Sequence, residues 1–197
     1  MQTSRRAEYA EATRQAIIAA SRELFVAKGY VKTTVNEIAK SARVAPATVY
    51  AVGGGKQDLL KTVIRGSAEE CAISPAMTAI VEATDPDEVL RRTVRATRES
   101  FAGWADLMRV VADTAPHEPA AAESLSLVQA SQRASLTSAA RRLESLGVLR
   151  MSVPEATDVL FYYLGNASYF TLTGDNGWSL DSAERWLLES VRRALLR

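Results

Sequence analysis

Residues 33–50 read TTVNEIAKSARVAPATVY, two short helical patterns joined by a turn, and this stretch decides the fold. Thr34 and Glu37 form a capping box, in which the hydroxyl accepts from an early helix amide and the carboxylate reaches back. Val35, Ile38, Ala39 and Ala42 follow at helical spacing, which predicts a short helix with one buried stripe. Arg43-Val44 makes the turn. Ala45-Pro46 opens a second helix, because proline in the first turn has no needed amide to lose. Ala47, Thr48 and Tyr50 on that helix are small or hydroxyl-bearing, which suits close approach to a nucleic-acid backbone. Two helices set this way form a helix-turn-helix, whose second helix fits the major groove of DNA.

Upstream, a first helix is predicted from about Ala10 to Lys28. Ile17, Ala20, Leu24 and Phe25 make its apolar stripe, Arg14, Arg22 and Glu23 face outward, and Gly29 stops it. Downstream, Gly53-Gly54-Gly55 breaks the chain before a helix near Lys56 that turns Leu59, Leu60, Val63 and Ile64 inward. The predicted organisation is all-α: a three-helix head over residues 1–55 and a helical body over residues 56–197. Residues 1–65 hold eleven basic and five acidic residues, about +6, and the remainder is about −5. A basic head on an acidic body fits a polyanion-binding module joined to something else.

The body shows only helical patterns. A short helix is predicted from Pro75 to Ala83. Another opens at Asp85-Pro86, with Val89, Leu90, Val94 and Phe101 on one face, and continues after Gly103 through Trp104 to Ala112. Pro116 and Pro119 bracket a loop. A long helix runs from about Ala120 to Leu146 and stops at Gly147. An apolar helix runs from Pro154 through Phe170 to Gly174, and the last from Leu180 to Leu196.

The sequence argues against several functions. It has no run of ~18 uncharged apolar residues for a membrane span. Its N-terminus lacks the apolar core of a signal peptide, and a cytoplasmic setting is expected. Cys71 is the only cysteine, so no intrachain disulfide forms, and it reads as a small buried hydrophobe. His117, the only histidine, reads as a surface residue of the Pro-bracketed loop. One His and one Cys cannot assemble the usual zinc sets, and no metal or other cofactor is expected. Gly53-Gly54-Gly55-Lys56 lacks the earlier glycine, the following Ser or Thr and the preceding strand of a phosphate loop. No paired-carboxylate, Ser-His or Cys-His arrangement suggests catalysis, so an enzyme is not predicted.

The run TRQAIIAASRELFVAKGYVKTTVNEIAKSARVAPATVY, followed by Lys56 and the paired leucines Leu59-Leu60, resembles the DNA-binding domain of the tetracycline-repressor (TetR) family of transcriptional regulators over roughly residues 13–64. The segment GWSLDSAERWLLESVRRALL is similar to the closing helix of many such regulators. The resemblance implies a ligand-responsive regulator, usually a repressor, that binds a palindromic operator as a homodimer and releases it when a small molecule occupies the body. It implies DNA contacts at Pro46, Ala47, Thr48 and Tyr50, with Arg43 and Ala45 leading into that helix. Thr34 and Lys56 would meet phosphates at helix N-termini.

The same resemblance implies an apolar cavity, with Phe101, Trp104, Met108 and Leu125 as wall residues and Arg98 or Arg109 as partner for a charged ligand. Dimerisation is expected through the last two long helices, about 154–173 and 180–196, with Phe161, Leu164, Trp178, Trp186 and Leu187 as interface residues. The first of these helices carries more apolar surface than one body can readily cover, and Trp178 and Trp186 supply large anchors. The aromatic cluster Phe161, Tyr162, Tyr163, Tyr169 and Phe170 reads first as interface. In two places the chain departs from the family pattern. Arg43 stands where the family usually has Gly, which calls for a positive φ or another turn. Gly53 stands where an aromatic ring, most often Phe, is usual, which predicts a mobile head that Gly53→Phe would pre-organise. The alternatives are a small helical enzyme, set apart by turnover, and a nonspecific nucleoid-associated protein, set apart by the absence of a preferred palindrome.

Overall fold

The computed structural model describes residues 5–72 and 75–197, without the side chains of Arg6 and residues 67–72, so the expected burial of Cys71 lies outside the described residues. The chain divides into two compact units, residues 1–67 with 106–128 and residues 68–105 with 129–197.

In the first unit, α1 (Arg5–Lys28), α2 (Val35–Ser41) and α3 (Pro46–Gly53) pack on one another, followed by α4 (Lys56–Ala72). α1 starts about a turn earlier than its apolar stripe suggests. Ala, Glu and Arg between Arg5 and Ala16 are good helix formers, so the helix extends although no described side chain there is buried. Burial begins at Ile17 and includes Ala20 and Phe25, and Gly29 ends the helix with φ +80°. Ile38, Ala39, Leu59 and Leu60 are also buried, as their spacing predicts, and so is Val49. Thr33 is buried as well, and its hydroxyl donates to the carbonyls of Leu24 (3.1 Å) and Gly29 (2.9 Å). The unit also takes in the end of α6 (Pro86–Thr114), the turn after it and the start of α7 (Pro119–Ser145). There Gln57 Nε2 donates to Glu118 Oε1 at 3.2 Å, and Lys61 pairs with Glu123 at 2.6 Å.

The second unit holds α5 (Pro75–Glu82), most of α6 and α7, α8 (Val153–Leu164), α9 (Asn166–Tyr169) and α10 (Leu180–Leu195). One apolar core runs through it, including Leu90, Val94, Leu136, Leu143, Leu160, Leu187 and Val191. Gly103 lies inside α6 without breaking it. The single helix expected from Pro154 to Gly174 is instead interrupted at Gly165 (φ −70°, ψ 157°), restarts as α9 and ends in a π turn, Phe170–Asp175. Gln132 Nε2 donates to the Leu164 carbonyl beside this break (3.0 Å). Arg98 spans from α6 to α10, with Nη1 on Glu184 Oε2 and Nη2 on Asp181 Oδ1, both at 2.5 Å.

Among the described residues the only β pairing is an isolated antiparallel bridge, Leu149–Leu196. The Arg150 amide donates to the Leu195 carbonyl and the Arg197 amide to the Val148 carbonyl, both at 3.1 Å. No described helix is long and apolar enough to cross a membrane. Every fully buried polar side-chain atom among the described residues has a hydrogen-bond partner.

Candidate nucleic-acid interface

The helix-turn-helix is built almost wholly from local contacts. At the start of α2 the Glu37 amide donates to Thr34 Oγ1 (3.3 Å), and the Thr34 amide donates to Glu37 Oε2 (3.0 Å). Lys28, in the last turn of α1, makes an ion pair with the same carboxylate and so ties α1 to α2. The Lys28 hydrogen bond, helped by the two bonds from Thr34, lowers the Glu37 pKa from 4.5 to about 2. Thr34 is exposed, but its hydroxyl and amide serve the cap first.

The turn is a Schellman motif. The Val44 amide donates to the Ala39 carbonyl (2.9 Å) and the Arg43 amide to the Lys40 carbonyl (3.2 Å). Arg43 therefore occupies the position that requires left-handed backbone, and its φ is +56°. The departure from glycine leaves the turn geometry intact and gives it an exposed guanidinium.

α3 begins after Ala45, whose extended backbone (φ −73°, ψ 148°) provides the N-cap without a side-chain bond, and Pro46 follows at the first helical position. Val49 is fully buried and fixes the helix on the head. Pro46, Ala47, Tyr50 and Ala51 are exposed, with Tyr50 56% accessible, and Thr48 is half-buried. Sequence reading missed Ala51, although it lies four residues after Ala47 and so shares its face.

Lys56 has a structural role that the sequence did not show. Its Nζ donates to the Tyr30 carbonyl (3.1 Å) and the Val31 carbonyl (3.3 Å), and it stands 4.4 Å above the centre of the Tyr30 ring. Burial, with the Glu118 and Asp58 carboxylates nearby, pushes the Tyr30 phenol up to about 12, so the ring remains neutral. Lys56 thus fastens the start of α4 to the turn after α1, with at most one N–H left over for a phosphate.

Gly53 also differs. It is the last residue of α3, not part of a break, and the space a ring would fill is not empty. A Cβ at Gly53 would stand 2.6 Å from Leu59 Cδ2 and 3.0 Å from Leu59 Cγ, because the Leu59 side chain occupies that place. Leu59 is 1% exposed.

The other predicted residues separate into core and surface. Phe101 is buried, stacked on Tyr169 (4.9 Å between centroids) and edge-on to Phe170 (5.1 Å); Met108 is buried, and Trp104 and Leu125 are half-buried. Arg98 is held by its two carboxylates, so it does not stand ready for a charged ligand. Leu164 and Leu187 are fully buried within the protomer and cannot touch a partner in this fold; they hold α8 and α10 from beneath. Phe161 is half-buried, with the Arg133 guanidinium 4.6 Å above its ring. Trp178 and Trp186 are exposed and meet edge to face at 5.9 Å. They line an open groove of about 680 Å³ with Ser182, Arg185, Glu189 and Arg193. Among the described residues no group of three or more His, Cys, Asp or Glu side chains is placed to hold a metal ion.

Residues 17–63 match the family model of bacterial regulatory proteins, tetR family. No curated protein matches the chain in sequence. Solved structures match over nearly its whole length. A protein from Mesorhizobium loti assigned to the TetR-family transcriptional regulators is 22% identical, with 95% of this chain and 98% of that one covered and a TM-score of 0.76. One from Syntrophomonas wolfei, assigned likewise, is 20% identical over 93% and 95%, with a TM-score of 0.79. The regulator FadR from Bacillus subtilis, solved in complex with stearoyl-CoA, is 19% identical over 90% and 96%, with a TM-score of 0.74. At these identities the likeness establishes the fold, a helix-turn-helix head with a helical body.

Proposed function

We propose that this chain, whose residues 17–63 match the tetR family of bacterial regulatory proteins, is a ligand-responsive transcriptional regulator that binds a palindromic operator as a homodimer and releases it when a small molecule occupies its body. The observation that carries this reading is α3, anchored by Val49 and bare on its outer face, in a head with a strong basic excess. Thr34, Arg43, Ala45, Pro46, Ala47, Thr48 and Tyr50 form the DNA-facing set, and Lys56 supports it as a positioning residue. The functional division is a head at residues 1–55 and a body at residues 56–197, even though the first compact unit reaches further along the chain.

The effector is proposed to be largely apolar, held in the body beside Phe101 and Trp104. The long acyl chain of the stearoyl-CoA bound to Bacillus subtilis FadR supports an apolar part in such a ligand. The dimer is proposed to form through the outer faces of α8 and α10, with Trp178, Trp186 and the exposed part of Phe161 at its contact. The protein acts in the cytoplasm without catalysis or cofactor.

Duplex fragments selected from a random pool by the purified protein test this reading. A shared palindrome is expected, with affinity falling steeply as salt rises, because phosphate contacts displace counterions. Binding with no sequence preference would instead identify a nonspecific nucleoid-associated protein. Candidate ligands are then scored by release of the selected duplex.

A further inference from the structure

The stretch from Val44 to Gly55 is VAPATVYAVGGG, which contains no charged residue and no side-chain amide. Specific reading of guanine in the major groove usually takes Arg or Lys on O6 and N7, and of adenine Asn or Gln on N6 and N7. α3 carries none of these. Its exposed residues are Pro46, Ala47, Tyr50, Ala51 and Val52, with half-buried Thr48 beside them. The flanking polar groups do not make up the deficit. Lys56 is held on the Tyr30 and Val31 carbonyls, and the Gln57 amide is bonded to Glu118. Arg43 lies before the helix on the turn, with Lys40 at the end of α2.

The one apolar group on the major-groove edges of the base pairs is the thymine 5-methyl. The short methyl and methylene groups of Pro46, Ala47 and Ala51 can pack directly against that group, with the exposed Tyr50 ring beside them to reach the backbone. We propose that α3 reads its half-site through thymine methyl groups, packed against Pro46, Ala47 and Ala51, and not through hydrogen bonds to purine edges. This rests on the DNA-binding reading above and names the feature of the DNA that this helix recognises. Tyr50 and Thr48 then serve chiefly for positioning on the backbone, and Arg43 for phosphate attraction.

The test uses the best duplex selected by the purified full-length protein. Each thymine of a half-site is replaced singly by deoxyuridine, which removes the methyl and keeps every base-pairing and groove hydrogen-bonding group. Affinity is expected to fall roughly three- to fivefold at two or more positions, the value of one buried methyl. At those positions 5-methylcytosine opposite guanine should bind several-fold better than cytosine opposite guanine. By contrast, 7-deaza purines, which lack the N7 acceptor, should have little effect under α3. If deoxyuridine is neutral throughout while 7-deaza purines weaken binding, the methyl reading is overturned and the DNA-binding function stands. If no duplex is preferred over random DNA, both are overturned.

Discussion

Arg43 holds a backbone conformation, φ +56°, that costs an L side chain about 1–2 kcal/mol relative to the right-handed region. Arg43→Gly is therefore expected to stabilise the head by about 1 kcal/mol, seen as a higher denaturation midpoint of the free protein. The same change removes one cation from each protomer, so for the dimer on its operator the slope of log affinity against log salt should fall by about 2. A stabilised variant with an unchanged slope would separate the two roles and remove Arg43 from the DNA contact. At Gly53 the place of the missing ring is filled. Leu59 occupies it, so Gly53→Phe must displace a buried side chain and is expected to cost about 1–3 kcal/mol in stability. Thermal denaturation of that variant checks the sign. The residues legible from sequence were those whose partners lie within a few positions, such as Thr34 with Glu37. The bonds of Lys56 to Tyr30 and Val31 were not legible, because these acceptors are 26 and 25 residues away and no local pattern connects them.

At the scale of elements, the start of α2 links stability to acid. Glu37 has an ordinary pKa of 4.5 and is lowered to about 2 in the folded head, first by Lys28 and then by Thr34. A depressed carboxyl contributes stability that is complete above its unfolded pKa and is lost as pH falls through its folded one. The stability of the native chain is therefore expected to decline between about pH 4.5 and 2, and Glu37→Gln should lack that part of the decline in an acid titration followed by circular dichroism. Hydrophobic period and proline or glycine punctuation were enough to place most helices near their observed bounds. They were not enough at Gly165, because the break depends on a carbonyl and a side chain elsewhere. A Cβ there would lie 2.6 Å from the Phe161 carbonyl oxygen, and Gln132, distant in sequence, bonds the Leu164 carbonyl. Gly165→Ala should consequently cost about 1–3 kcal/mol, read as a lower melting temperature, although its φ of −70° suits alanine.

At the scale of the whole molecule, the sequence separated a basic head from an acidic body but did not show which apolar side chains each protomer keeps for itself. Periodicity puts Trp186 and Leu187 side by side on α10, and only packing distinguishes them. Leu187 is fully buried, whereas Trp186 is 45% exposed and is the centre of a surface chain of rings, 5.9 Å from Trp178 and 6.1 Å from Tyr163, which in turn is 5.2 Å from Tyr162. Large exposed aromatics are typical anchors of interfaces, so this surface supports the proposed dimer contact. The proposed dimer therefore predicts opposite signatures for two neighbouring truncations. Trp186→Ala should leave the protomer folded and weaken dimerisation by about 2 kcal/mol or more, close to 30-fold in Kd by sedimentation equilibrium. Leu187→Ala should instead lose core packing, about 2–5 kcal/mol of stability, and lower the melting temperature whatever the assembly state. If Trp186→Ala leaves the dimer as tight as before, the α8 and α10 face is not where the two protomers meet.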